Sequence, residues 1–242
     1  NNAVQLVYDT VGNLIKEVDA LNEETVHTYD ADGNRISTTD PLGNTTQFVY
    51  DELDRLIQTI DPLGHTTTIS YDALSRRTMT TDANGNSTAL EYDELGRLVK
   101  VTDAAGGEVL YTYDAVGNRT SMTEPNGNTT TYTYDDLNRL IQKEEPSGGI
   151  YQYAYDAVGN RISQTDPNGN TITYTYDAND RLTGITYPSG TPVTFTYDEN
   201  GNRTGVTDSL GSSTYTYDEL NRMTASTDAY GKQVAYTYDE VG

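Results

Sequence analysis

The sequence predicts an all-β protein of tandem 21-residue β-hairpins, joined into one continuous antiparallel sheet that coils spirally, with almost no helix. Three observations predict it. Tyr-Asp recurs twelve times, at Tyr8, Tyr29, Tyr50, Tyr71, Tyr92, Tyr113, Tyr134, Tyr155, Tyr176, Tyr197, Tyr217 and Tyr238, and ten of the eleven intervals are 21 residues. A fixed period over a whole chain marks one small unit copied in tandem. Each unit holds two short runs rich in Thr, Ile and Tyr, bounded by Asp, Pro, Asn and Gly; that composition reads as strands joined by hairpin loops. No segment carries a helical apolar period over three turns.

The repeat from Tyr155 to Thr175, YDAVGNRISQTDPNGNTITYT, shows each element in order. Tyr155-Asp156 opens a turn through Gly159 and Asn160, and Arg161 to Thr165 is the first strand. Asp166-Pro167-Asn168-Gly169-Asn170 is the second turn, and Thr171 to Tyr176 is the second strand. In that strand Ile172, Tyr174 and Tyr176 share one face, and Thr173 and Thr175 the other. The position two before the Tyr-Asp tyrosine is aromatic in eight of the eleven repeats after the first: Phe48, Tyr111, Tyr132, Tyr153, Tyr174, Phe195, Tyr215 and Tyr236. His27, Ile69 and Leu90 are the exceptions. One face therefore carries ladders of aromatic rings; the other is mostly Thr, Ser and Gln. Asn84-Gly85, Asn126-Gly127, Asn168-Gly169 and Asp32-Gly33 supply residues that tolerate φ > 0 in tight loops. Pro41, Pro62, Pro125 and Pro167 follow an acidic residue that closes a strand, where a missing N–H costs little.

An arginine recurs in ten consecutive repeats, from Arg35 to Arg222, where the first repeat has Leu14. Arg35 and Arg55 belong to this series. From Tyr92 onward two repeat types alternate. One reads YD-x-L-(G/N)-R-L, with Arg97, Arg139 and Arg222 five residues after the tyrosine and Arg181 at the same spacing. The other reads YD-x-x-G-N-R, with Arg119, Arg161 and Arg203 at six, so the true period there is about 42 residues. The expected role is a fork onto an acidic residue of a neighbouring turn, repeated along the wall. A row of anion sites is the other reading, and the acidic surroundings oppose it.

Composition narrows the partners. The chain has 242 residues and a net charge of −22, which disfavours nucleic acid and anionic membrane surfaces. No apolar run approaches the ~20 residues needed to span a bilayer. There is no cysteine, so disulfides and thiolate metal sites are excluded. No linker or charge block divides the chain, and residues 1–242 read as one array of eleven to twelve repeats, a segment of a longer one. Two strands per repeat give some twenty or more strands, whereas twisted open sheets rarely exceed ~10 without curling or closing. With only 34% hydrophobic residues, a one-layer wall is expected rather than a dry three-dimensional core.

The pattern YDxxGNRxxxxTDPxGNTxxYT, as it stands from Tyr155 to Thr175, resembles the YD repeat of Rhs proteins, wall-associated proteins, the C components of insecticidal Tc toxin complexes, and teneurins. The resemblance covers essentially the whole chain. It implies a secreted or cell-surface protein, most often bacterial, whose repeats wind as a spiral sheet into a hollow shell around an effector domain. It also implies, for some members, carbohydrate binding and adhesion. The self-cleaving core that ends such a shell, and the effector domain, are not expected within this segment. Asp40-Pro41, Asp61-Pro62 and Asp166-Pro167 sit at turn positions, and no cleavage is assigned to them.

For the Tyr-Asp pair the structural reading is an aromatic ladder with the aspartate accepting backbone N–H bonds in an Asx-type turn. The functional reading is a stacking face for sugar rings, at Tyr111, Tyr132, Tyr153, Tyr174, Tyr215 and Tyr236. The turns Asp30 to Asn34 and Asp82 to Asn86 partly resemble calcium loops but lack the downstream bidentate glutamate; no cofactor is expected, with calcium the one candidate. Catalysis finds little support. The only histidines are His27 and His65, nucleophile and phosphate-binding motifs are absent, and repeated equivalent turns do not create the distinct environments that an acid–base pair needs. The expected function is non-catalytic: the wall of a hollow shell or tube, partnered by neighbouring repeats. An extracellular fibre or adhesin that binds glycans or identical chains is the alternative.

Overall fold

The computed structural model describes residues 4–239; Glu240, Val241 and Gly242, in the repeat that Tyr238 opens, lie outside the described residues. It contains 23 β-strands, from Gln5–Tyr8 to Gln233–Ala235, and among the described residues no helix. The strands belong to an antiparallel sheet. They fall into two compact units, one of residues 1–112 and 122–128, the other of residues 113–121 and 129–242.

Within each unit strands pair with their sequence neighbours. In the first, Thr45–Tyr50 pairs with Arg35–Thr39 on one side and Leu56–Ile60 on the other. In the second, Thr171–Tyr176 pairs in the same way with Arg161–Thr165 and Leu182–Thr186. The meander follows from turn length, because a hairpin loop too short to cross a strand leaves the next strand nowhere else to pair. Both turns of the repeat have one geometry. In the turn Asp166 to Asn170, the Asp166 N–H donates to the Asn170 carbonyl at 2.9 Å and the Gly169 N–H to the Asp166 carbonyl at 3.0 Å. One residue per turn is left-handed: Gly169 has φ 82°, while Asn168 keeps a negative φ. The Asn-Gly pairs therefore contribute one φ > 0 residue each, the glycine. Pro167 occupies the second turn position, where its locked φ is favoured.

No hydrophobic residue is buried among the described residues; the buried positions there are His27 at 6%, Thr130 at 8% and Gly205. The alternation is nonetheless clear. In Thr129–Tyr134 and Thr171–Tyr176 the tyrosines are half-covered and the intervening threonines exposed. Covering comes from the strands paired on either side, as Arg161–Thr165 and Leu182–Thr186 flank Thr171–Tyr176. Among the described residues no helix is long and apolar enough to cross a membrane.

Candidate functional site: the Tyr-Asp turn

The aspartate organises its own turn. Asp156 Oδ1 accepts the N–H groups of Val158 at 3.1 Å, Gly159 at 2.8 Å and Asn160 at 2.8 Å. Its Oδ2 accepts Asn160 Nδ2 at 3.1 Å. Asp135 does the same with arginine in place of asparagine. The Arg139 backbone N–H holds the Asp135 carboxyl below its ordinary range against an opposing desolvation, and the Arg139 side chain and the Leu137 N–H add to the lowering.

The tyrosine joins its repeat to the one before. Tyr155 Oη donates to the Leu140 carbonyl at 2.9 Å, fifteen residues back. Tyr71, Tyr176 and Tyr197 make the same bond to Leu56, Arg161 and Leu182. The backbone ladder between Arg161–Thr165 and Thr171–Tyr176 stops at Ser163↔Thr173. The hydroxyl therefore satisfies a strand-end carbonyl that the neighbouring backbone does not reach.

The arginine ends elsewhere than expected. Its ion pair closes on the aspartate of its own turn, four residues earlier, and not on an acid of a neighbouring turn: Arg55–Asp51 at 2.6 Å, Arg139–Asp135 at 2.7 Å, Arg181–Asp177 at 2.7 Å and Arg222–Asp218 at 2.8 Å. Arg76 and Arg97 pair likewise with Asp72 and Asp93, both at 2.7 Å. The cause is local: the turn bonds bring the fifth residue back beside the first. What reaches the next turn is the rest of the guanidinium. Arg139 Nη1 donates to the Asp156 carbonyl at 2.9 Å, and the group lies 4.8 Å from the centre of the Tyr155 ring. Arginines placed one residue later lie against rings instead. Arg35 is 5.2 Å from Phe48 and Arg119 4.9 Å from Tyr132. Arg161 sits between Tyr153 and Tyr174, at 6.0 and 5.1 Å, and Arg203 between Phe195 and Tyr215, at 5.9 and 5.5 Å.

The alternation of repeat types has a physical basis that sequence reasoning missed. In G-N-R turns the asparagine reaches forward about one repeat to the left-handed residue of the next turn: Asn34 Nδ2 to Asp54 Oδ1 at 2.7 Å, Asn118 to Asn138 at 2.9 Å, Asn160 to Asp180 at 2.9 Å and Asn202 to Asn221 at 2.7 Å. Those acceptors have φ between 57° and 61° and are not glycine, because the side chain is needed there. After an arginine turn the position is small: Arg55 Nη1 donates to Ser75 Oγ at 3.0 Å, and at Gly96 a Cβ would lie 3.5 Å from Arg76 Nη1. The signal was visible as Asp or Asn at that position, at Asp54, Asn138, Asp180 and Asn221, wherever a turn with its arginine at five follows a G-N-R turn. Replacing Asn138 by alanine is expected to cost about 1–2 kcal/mol, from a lost hydrogen bond and retained left-handed strain. Asn138→Gly loses the same bond and relieves the strain, so its midpoint in thermal unfolding falls less. Equal midpoints for the two variants would contradict this role.

The two histidines are each engaged inside their own neighbourhood. His27 Nδ1 lies 3.0 Å from Thr38 Oγ1 and Nε2 3.5 Å from Glu17, and His65 pairs with Asp61 at 2.8 Å. In the loops compared with calcium sites, Asp30 Oδ1 accepts the Asp32 and Asn34 N–H groups and Asp82 Oδ1 those of Asn84 and Asn86. Among the described residues no group of three or more His, Cys, Asp or Glu gathers to hold a metal ion.

The fold and these turns define a class: a β-hairpin repeat protein whose successive units are bonded to each other by side chains. The RHS repeat model matches residues 8–45, 29–66, 50–87, 71–109, 92–129, 113–150, 155–192 and 197–233. The chain belongs to the RHS repeat family. Among solved structures, the crystal structure of TcdB2-TccC3-Cdc42 is 18% identical over 92% of this chain and 17% of that chain, with a TM-score of 0.43. A Photorhabdus luminescens Tc holotoxin pore carrying a TccC3 mutation is 16% identical over 92% of this chain and 19% of that chain, also at 0.43. A porin-like protein from Bacteroides uniformis is 13% identical over 91% of each chain, at 0.23. The chain thus spans less than a fifth of the two Tc chains. No curated protein matches it.

Proposed function

We propose that this chain is a non-catalytic structural segment that builds the wall of a hollow β-shell or tube, as containment or scaffold, in a secreted or cell-surface bacterial protein. Residues 1–242 act as one array, its partners are the neighbouring repeats of its parent chain, and it needs no cofactor. One observation carries this reading. No hydrophobic side chain is buried among the described residues, while repeats along the chain are tied to the last by a tyrosine hydroxyl, as Tyr155 to Leu140, and to the next by an arginine or asparagine, as Arg139 to Asp156 and Asn160 to Asp180. A sheet held by such bonds has area without an interior of its own, which suits a wall.

The alternative is a fibre or adhesin that binds glycans, or identical chains, through Tyr111, Tyr132, Tyr153, Tyr174, Tyr215 and Tyr236. Sugar stacking needs a free ring face, and guanidinium groups lie over Tyr132, Tyr174 and Tyr215. Cryo-electron microscopy of the intact parent protein separates the two. A closed particle with density inside is the expected result. A long uniform filament, with glycan binding lost in Tyr174→Ala, would overturn the wall in favour of the adhesin.

A further inference from the structure

We propose that Asn126 is a site of spontaneous deamidation, at which the Gly127 backbone nitrogen closes on the Asn126 side-chain amide. Four Asn-Gly pairs occur, at Asn84, Asn126, Asn168 and Asn200. Three of their turns are led by an aspartate that clasps them. Asp82 Oδ1 accepts the N–H groups of Asn84 at 2.9 Å and Asn86 at 2.8 Å. Asp166 does the same for Asn168 and Asn170 at 2.9 and 2.8 Å, and Asp198 accepts the Asn202 N–H at 2.8 Å. The turn of Asn126 is led by Glu124, one methylene longer. There the clasp is replaced: Asn126 Oδ1 itself accepts the Asn128 N–H at 3.0 Å.

Two consequences follow. An N–H already bonded to the amide oxygen stabilises the negative charge that grows there as nitrogen adds to Cγ, as any preorganised oxyanion donor does. Without the carboxylate clasp the turn also opens more readily, which frees the Gly127 N–H from the Glu124 carbonyl it bonds at 2.8 Å. The segment from Glu124 to Asn128 is exposed to water, and Gly127 has no Cβ to crowd its nitrogen. The step balances with water alone. The Gly127 nitrogen gives up its proton and bonds to Asn126 Cγ, and the amide nitrogen leaves as ammonia. Water then opens the succinimide at one carbonyl or the other, leaving an aspartyl or isoaspartyl residue. Either product adds a negative charge. The isoaspartyl form lengthens the main chain inside a turn closed by the Glu124 N–H on the Asn128 carbonyl at 2.8 Å, so it breaks that hairpin's geometry.

The test is peptide mapping by mass spectrometry, with electron-transfer fragmentation, of the folded full-length chain aged at neutral pH. The expected result is a gain of one mass unit, with isoaspartate, at Asn126 several-fold faster than at Asn84, Asn168 or Asn200. Glu124→Asp restores the clasp and is expected to slow Asn126 alone, to the rate of the other three. A rate at Asn126 no greater than theirs, or one unchanged by Glu124→Asp, would overturn the proposal.

Discussion

Tyr155→Ala is expected to destabilise the hairpins around it by about 3 kcal/mol, and Tyr155→Phe by about 1 kcal/mol. The difference separates two jobs of one side chain. The hydroxyl supplies one hydrogen bond, to the Leu140 carbonyl, and such a bond contributes about 1 kcal/mol net. The ring is half-covered and stacks under the Arg139 guanidinium. Truncating a fully buried aromatic costs about 3–5 kcal/mol, so a half-covered one falls below that range, and the cation–π contact adds about 0.5–1 kcal/mol. Because each repeat touches only its neighbours, the loss stays local. Amide exchange is expected to accelerate in Leu140–Glu144, Ile150–Tyr155 and Arg161–Thr165, and to be unchanged several hairpins away. If Tyr155→Phe were as damaging as Tyr155→Ala, the ring would have no role beyond carrying its hydroxyl.

Acid is expected to melt the array through its turns. The carboxyls of Asp40, Asp82, Asp166 and Asp198 are lowered first by the side chain of the asparagine four residues on, and those of Asp135 and Asp218 by the backbone N–H of the arginine there. A carboxyl lowered in the folded state stabilises fully above its unfolded value, about 3.9 for aspartate. That stabilisation is lost as pH falls through the lower folded value. The melting temperature should therefore hold from neutral pH down to about pH 4 and drop below it. Acidification also relieves the repulsion of a chain carrying −22, which pushes the other way. Salt separates the two, because it screens long-range repulsion and leaves short carboxylate–N–H bonds in place. The drop should persist at high salt, and Asp82→Asn, which keeps an acceptor without a titrating charge, should remove its own share. A melting temperature that rises steadily into acid would refute this account.

Much of the fold was legible because it is local. The strands Arg161–Thr165 and Thr171–Tyr176 stand where the run of β-formers placed them. Alternation of Tyr and Thr assigned the faces of those strands before any neighbour was known. The arginine was harder. Its recurrence announced a structural job, but its spacing could not say whether the nearest acid in space was its own aspartate or one in the next turn. The link from Asn160 to Asp180 was harder still: both residues look like ordinary turn formers, and only the stacking of consecutive turns brings them within 2.9 Å.

The sequence by itself determined the repeat, the hairpins, their turns and the family, since each depends on contacts a few residues apart. The tertiary structure alone decided how one repeat holds the next, through tyrosine to a carbonyl fifteen residues back, and through arginine or asparagine to the turn ahead. Those bonds depend on which turns stack beside each other in space, a distance that a one-dimensional pattern does not contain.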